Sequence, residues 1–431
     1  MAVEPIGQSR LMPADLSLHY LLSTFPLAQE TFVTGEIRAM AELVAEVSVT
    51  GMVRSDELDL RPGGIPERVA VDWIPRPSSP AFWSGLAAGV ARRRRSALRD
   101  WASMLHPAPS AGERLRWRRL AIGASAWAAR RVPSDPARHH LHAHFAARGA
   151  VGAYMVSLMW GVPYSMTVHA FDIFRPNPRL RDLAGNASLI VAISDFDREE
   201  LLRLVPDLDP ARVSVIHVGV PVGDLAALGA MARQSADRSA EPLIVSAGRL
   251  VEKKGMEVLV AAVAQLARDG TAVRCEIVGE GPLRPRLERM IRSLGIGELV
   301  TLRGALPPDA ARRRIAEADL FVLACVRASN GDMDGIPVAL MEAMGAETPV
   351  ISTRLSGIPE LVSDREHGIL AEPGDATSLA AALKETMANP EATRRRARAG
   401  ARVVHERFDQ VQNAGRLLAA ILASRNGAGP R

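Results

Sequence analysis

Lysine is almost missing from a chain that is otherwise rich in basic residues. Of 53 lysines and arginines among 431 residues, the lysines are Lys253, Lys254 and Lys384 alone. Cysteine is equally scarce. Cys275 and Cys325 both sit in apolar runs that read as strands, and their spacing fits neither a zinc site nor a disulfide framework. They read as inert core thiols. The opening "MAVEPIGQSRLMPADLS" lacks a basic stretch followed by an apolar one, so no secretion signal is expected, and a reducing cytoplasm suits the whole. Asp, Glu, Lys and Arg are absent from Gly149 to Phe171, a length that could span a bilayer. That stretch is broken by Gly161-Val162-Pro163 and then carries Ser165, Thr167 and His169. It reads as a buried helix, a Gly-Pro break and a buried strand.

What is present describes an ordinary globular protein of more than one core. Apolar residues make up 48% and charged residues 23%, and the length favours two domains. Short apolar runs recur with helical patterns between them, as in parallel sheets covered on both faces. In the first half these are "LSLHYLLS", "VAEVSVTGM", "RVAVDWI", "HHLHAHF", "YSMTVHA", "SLIVAIS" and "RVSVIHV"; in the second, "PLIVSAG", "VRCEIVG", "LVTLRG", "DLFVLAC", "PVISTR" and "GILAEP". The pattern predicts two doubly wound, Rossmann-like units. The first is expected over 1–222 and the second over 242–405. A linker rich in Ala, Ser and charge is expected at 223–241, and a last helix at 406–431 can fold back on the first unit.

Basic charge is concentrated. Between Arg61 and Arg138 there are 15 arginines against five acids, more than the net charge of +5 for the whole chain. Around "ARRRRSALRDW", Trp83, Leu86, Val90, Leu98, Trp101 and Leu105 recur at helical spacing. An Arg-rich amphipathic segment over 92–119 can lie on anionic lipid, or be a solvated helix face. No aromatic ladder or nucleic-acid motif accompanies it, so nucleic acid is not expected as a partner.

Four places carry polar groups that chemistry could use. "VSAGRLVEKKG" (245–255) is a strand, a glycine turn at Gly248 and a basic loop with Arg249 and Lys254. Two of the three lysines fall there, and an Arg fork with a Lys point charge suits a diphosphate; the alternative is a solvated loop. "VGEGP" (278–282) leaves bare backbone at Gly279 and Gly281, but Arg284 stands where a third glycine would complete a dinucleotide fingerprint. "TVHAFD" ends a strand with His169 and Asp172, both expected to face a cleft. His142 and His144 share a strand face and could ligate a metal, yet no carboxylate lies near them in sequence; a structural or acceptor-side role is favoured. In "GDMDGIPVALMEAM" (331–344), Asp334 and Glu342 straddle a helix start, with Pro337 expected as its first helical residue. "DMD" also matches a short metal-holding motif, but in the wrong structural context, so no metal is expected.

Taken together, "SAGRLVEKKG", "VGEGP", "LRGALP", "DGIPVALMEAM", "PVISTRLSGIPELV" and "GILAEPGD" resemble glycosyltransferase family 4, the retaining enzymes of the GT-B fold. "STFPLAQETFVTGEI" and "HAHFAARGA … GVPYSMTVHAFDIF" are similar to members that build exopolysaccharides, including the colanic acid type. The resemblance covers nearly the whole chain. It implies two domains facing each other across a cleft and transfer, with retention, from a nucleoside diphosphate sugar to a lipid-linked or polysaccharide acceptor. It implies no cofactor and no metal. Gly248, Arg249 and Lys254, with Gly335, Ile336 and Pro337, would hold the donor diphosphate and sugar. Gly279, Gly281, Arg303 and Glu342 would meet the nucleotide. His169, Asp334 and Glu342 would form the catalytic set, and Thr31, His144 and Asp172 would lie on the acceptor side. Asp334 replaces the commoner Glu, Pro337 and Glu347 replace frequent glycines, and "PLAQETF" replaces a glycine-rich loop. These departures leave the donor sugar open. A nucleotide-sugar epimerase of the same fold and a basic, non-catalytic scaffold are the rival readings. The expected location is the cytoplasm, including the inner face of the membrane.

Overall fold

The computed structural model describes residues 12–25, 30–54, 65–92, 111–235 and 241–427. Two parallel sheets organise them. The first has seven strands: β1 (Ser17–Phe25), β2 (Glu46–Arg54), β3 (Ala70–Trp73), β4 (His139–His144), β5 (Tyr164–Val168), β6 (Leu189–Ala192) and β7 (Val213–Val215), in the order β3-β2-β1-β4-β5-β6-β7. The second has six: β8 (Leu243–Ala247), β9 (Arg274–Val278), β10 (Val300–Gly304), β11 (Leu320–Val322), β12 (Val350–Thr353) and β13 (Ile369–Ala371), in the order β10-β9-β8-β11-β12-β13. Every run read as a strand in the sequence falls on one of these. Both sheets reverse their order beside the first strand, at β1/β4 and at β8/β11, and a crevice opens at the carboxyl ends of such strands.

Burial explains the strand pattern. β5, β6, β8, β11, β12 and β13 are buried at every position, as strands covered on both faces must be. One apolar cluster surrounds the second sheet, while two clusters cover the opposite faces of the first. The uncharged stretch resolves into the helix Arg148–Trp160, ended by Gly161 at φ 69, followed by β5. No helix among the described residues is long and apolar enough to cross a membrane.

Two sequence readings need correction here. Most of the segment read as a linker is the helix Val222–Ser235, and its Leu225 lies in the core around the second sheet. Its Ala-rich composition packs closely, for a Cβ at Gly229 would meet the Ala346 oxygen at 2.0 Å. Cys325 lies beyond the end of β11 and not in a strand. Both thiols are buried and free, and burial raises them, Cys275 to about 12.

The chain crosses between the sheets twice, and the two crossings touch. Val220 N donates to Phe408 O at 2.8 Å and Gln410 N to Val220 O at 3.1 Å. The last helix, Gln410–Gly427, then lies on the first sheet, with Ala414, Leu417, Leu418 and Ile421 in that core. The helices Pro80–Arg92 and Ala111–Ala129 pack together, a Cβ at Gly85 falling 2.2 Å from Ala126 O. Residues 93–110, which hold much of the Arg-rich segment, lie outside the described residues.

Candidate active site

The loops after β8, β9 and β11 meet at the carboxyl ends of the second sheet. Their backbones come so close that side chains are excluded. A Cβ at Gly279, where φ is 144, would lie 1.9 Å from Gly248 O, and one at Gly281 would lie 2.6 Å from Leu250 O. Gly255 (φ 63) starts the helix Met256–Arg268 against Ala324 O, where a Cβ would sit 1.7 Å away. Arg249 is exposed beside this floor. Lys254 is instead held: its Nζ lies 2.6 Å from Asp334 Oδ2, while Lys253 Nζ reaches Asp334 Oδ1 at 3.2 Å and Asp332 Oδ1 at 3.1 Å. The acids of "DMD" therefore already face ammonium groups. Burial works to raise the Asp334 carboxyl, but Lys254 and Lys253 outweigh it and hold it below its usual range. The charge of Lys254, expected to meet a diphosphate, is matched here by Asp334.

The helix Val338–Gly345 follows. Pro337 is its N-cap, with φ −68 and ψ 128, and not its first helical residue. Its extended ψ turns the chain, which leaves Gly335 and Ile336, both buried, just ahead of the free amides of the helix start. Glu342, on the same helix, is bonded to Arg312 Nε at 2.8 Å, yet burial still raises its carboxyl. Arg303 is tied to Glu276 Oε1 at 2.6 Å, and Arg314 grips both oxygens of that carboxylate at 2.7 Å. The pair of arginines lowers Glu276 to about 2 against the effect of its burial.

The first domain supplies the opposite wall. A Cβ at Gly335 would lie 3.7 Å from the Cβ of Ala170, the residue after His169, and 3.2 Å from Asp197 Oδ2. His169 is buried and kept neutral, burial pushing it well below its ordinary value. Asp172 does not open onto a cleft: it is 1% exposed and its Oδ2 accepts from the His169 amide at 3.0 Å, as a local cap. Burial raises it to about 7. Thr31 begins the helix Thr31–Ala41; residues 26–29 of "PLAQETF" lie outside the described residues. His144 is buried between His169 and Glu36, with nitrogens 3.2 and 3.1 Å from them. The carboxylate that the sequence did not place near the histidines is Glu36, brought from the Thr31–Ala41 helix. Glu36, His142 and His144 put three possible ligand atoms within 4.8 Å of one another.

Several residues at this meeting point were not singled out from sequence. Lys253 lay in the quoted basic loop but was given no role. Arg312 and Glu36 pair with their partners across 30 and 108 positions, a distance that no local pattern reveals. Glu360, in the quoted "SGIPELV", spans the domains: its two oxygens accept from the amides of Asp195 and Phe196 at 2.9 Å each.

Comparisons with known proteins agree with this architecture. Residues 230–403 match the family model described as glycosyl transferases group 1. The chain is 29% identical over 387 residues to the putative colanic acid biosynthesis glycosyltransferase WcaL of Escherichia coli K12, covering 85% of this chain and 90% of that protein. It is 44% identical over 144 residues to the amylovoran biosynthesis glycosyltransferase AmsK of Erwinia amylovora, covering 33% and 35% respectively. Among solved structures, the sucrose-phosphate synthase of Thermosynechococcus elongatus superposes with a TM-score of 0.73 at 19% identity, covering 95% of this chain and all of that one. Anabaena Alr3699/HepE in complex with UDP-glucose does so with a TM-score of 0.68 at 16% identity, with 95% and 100% covered. The protein has the GT-B architecture of two Rossmann-like sheets, and its residues 230–403 are similar to the glycosyl transferases group 1 family.

Proposed function

We propose that this protein is a retaining glycosyltransferase of family 4. It moves a sugar from a nucleoside diphosphate sugar to a lipid-linked or polysaccharide acceptor in exopolysaccharide or cell-surface glycan synthesis. The observation that carries the reading is the contact at Gly335. It sets the turn before the Val338–Gly345 helix directly against the residue that follows His169, so that one ligand could touch both domains. The helix-start amides offer an anion site, Arg249 offers a solvent-facing cation, and the bare backbone at Gly248, Gly279 and Gly281 lets a flat or charged group approach. Fixed cations and amides can offset the charge of a leaving diphosphate, so turnover needs no divalent ion and no cofactor. Glu342 serves the ribose, Asp334 the donor sugar, and Gly279, Gly281 and Arg303 flank the nucleotide. The protein works in the cytoplasm, with segment 92–119 on the anionic inner face of the membrane. The names of its relatives give the epimerase and scaffold readings no support.

The two acids separate the roles. Glu342→Gln should weaken nucleoside diphosphate binding about tenfold, a loss the size of one charge-assisted contact. Asp334→Asn should leave that binding within about twofold while turnover of the whole donor falls about tenfold or more. Calorimetry and steady-state rates on both variants decide it. A folded Asp334→Asn with full activity would reduce this acid to a structural partner of the two lysines.

A further inference from the structure

A line of polar side chains runs through the first domain and ends at His169. The Tyr20 hydroxyl donates to Glu36 Oε1 at 2.9 Å. The same oxygen lies 3.1 Å from His144 Nε2, and His144 Nδ1 lies 3.2 Å from His169 Nε2. Four elements contribute: β1, the Thr31–Ala41 helix, the end of β4, and the position after β5. Tyr20 is fully enclosed, His144 is 1% exposed and His169 is 6% exposed.

The bonds assign the protons. Burial works to raise the Glu36 carboxyl, but His144, His142 and Tyr20 outweigh it, so Glu36 is held below its usual range as a carboxylate. A carboxylate only accepts, so His144 carries a proton on Nε2. In the neutral form of that ring Nδ1 is then the acceptor, and the proton between the two imidazoles belongs to His169 Nε2. Neutral His169 is then left with an unprotonated Nδ1. Its ring is also gripped. Phe145 lies 4.2 Å from it and Phe32 5.3 Å, centroid to centroid. Phe145 holds φ 68, a left-handed backbone that a bulky residue keeps only where its surroundings enforce it.

We propose that Glu36, acting through His144, is a positioning residue that fixes the tautomer of His169 so that its Nδ1 accepts a hydroxyl group of the donor sugar. The inference rests on the reading that His169 meets the donor. Hydrogen bonding accounts for the cluster better than a bound cation does. His142 Nε2 is 3.9 Å from Glu36 Oε1 and already bonds Thr167 Oγ1 at 3.1 Å, and Glu36 Oε1 already receives the Tyr20 proton. A histidine whose second nitrogen is bonded to an oriented partner presents one defined nitrogen to its ligand.

The test combines a spectroscopic signature with kinetics. Enzyme labelled with ¹⁵N at histidine is examined by long-range ¹⁵N correlation, with His169 assigned by the loss of its signals in His169→Gln. Wild type should show the Nε2–H tautomer. Glu36→Ala should show a mixture and lose about tenfold or more in kcat, with nucleoside diphosphate affinity within about twofold of wild type. Glu36→Gln, which still offers an acceptor oxygen, should keep the tautomer and most of kcat. Should Glu36→Ala fail to fold, His144→Gln carries the same test. An unchanged His169 tautomer in Glu36→Ala would overturn the proposal. So would one equivalent of Zn²⁺ bound by wild type and lost in that variant, which would make the cluster a metal site. Full activity in His169→Gln would overturn the donor contact itself, while a tautomer shift in Glu36→Ala would still establish the relay.

Discussion

Asp197 is fully enclosed where the two domains meet, its Oδ2 close to Gly335. Burial raises its carboxyl to about 7, with Glu360, Asp172 and Glu200 adding to the rise and Ser194 opposing it. A carboxyl raised in the folded state binds its proton more tightly there than in the unfolded chain. Its contribution is therefore intact at low pH and is lost as pH climbs from about 4 towards 7. Asp197→Asn, which cannot ionise, should raise the thermal midpoint at pH 8 and leave it unchanged at pH 4. Each kcal/mol regained is worth about 2–4 °C in a protein of 150–250 residues, and less in one this size. An equal shift at both pH values in calorimetry would show that the charge is not the cause. At this scale the sequence was least legible. It showed that Asp334 and Glu342 flank a helix start, because a Gly-Ile-Pro turn is a local signal. It did not show that Lys253 and Lys254 hold one and Arg312 the other, since those pairs are made by the tertiary fold.

Among the elements, strands were legible and connections were not. A parallel strand is buried on both faces, so its apolar run is continuous and short, and every such run quoted from the sequence lies on a strand. The Val222–Ser235 helix escaped because Gly, Ala and Ser dilute its apolar face. The helix Asp195–Leu204 shows how one element joins the domains. Glu360, from the second domain, places its carboxylate on the first amides of that helix, where the dipole favours an anion. Arg407 holds the Glu360 carbonyl at 3.1 Å. Glu360→Ala removes two charge-assisted bonds of about 1.5–3 kcal/mol each when well formed. It should lower the thermal midpoint and raise KM for the donor, because the second domain loses two bonds to the Asp195–Leu204 helix of the first. Glu360→Gln should recover part of both. A variant with unaltered midpoint and KM would mean that the carboxylate is replaced by water at no loss.

The molecule as a whole is two switch-point sheets brought face to face by paired crossings, with the last helix returned to the first sheet. Sequence made the doubly wound class readable, since alternating strand and helix patterns admit few topologies. The closeness of the domains at Gly335 and Glu360 was not readable, because it depends on contacts 165 residues apart. The functional claim lives at this scale, in a ligand gripped from both sides. Its direct test is transfer itself: the purified protein is incubated with a panel of nucleoside diphosphate sugars and a lipid-linked glycan acceptor, in EDTA, and the anomeric configuration of the first-formed product is read by proton NMR. One donor should yield a glycoside with the configuration of the donor sugar, at a rate that added Mg²⁺ or Mn²⁺ leaves unchanged. An inverted product, or turnover that appears only when the metal is restored, would contradict the account.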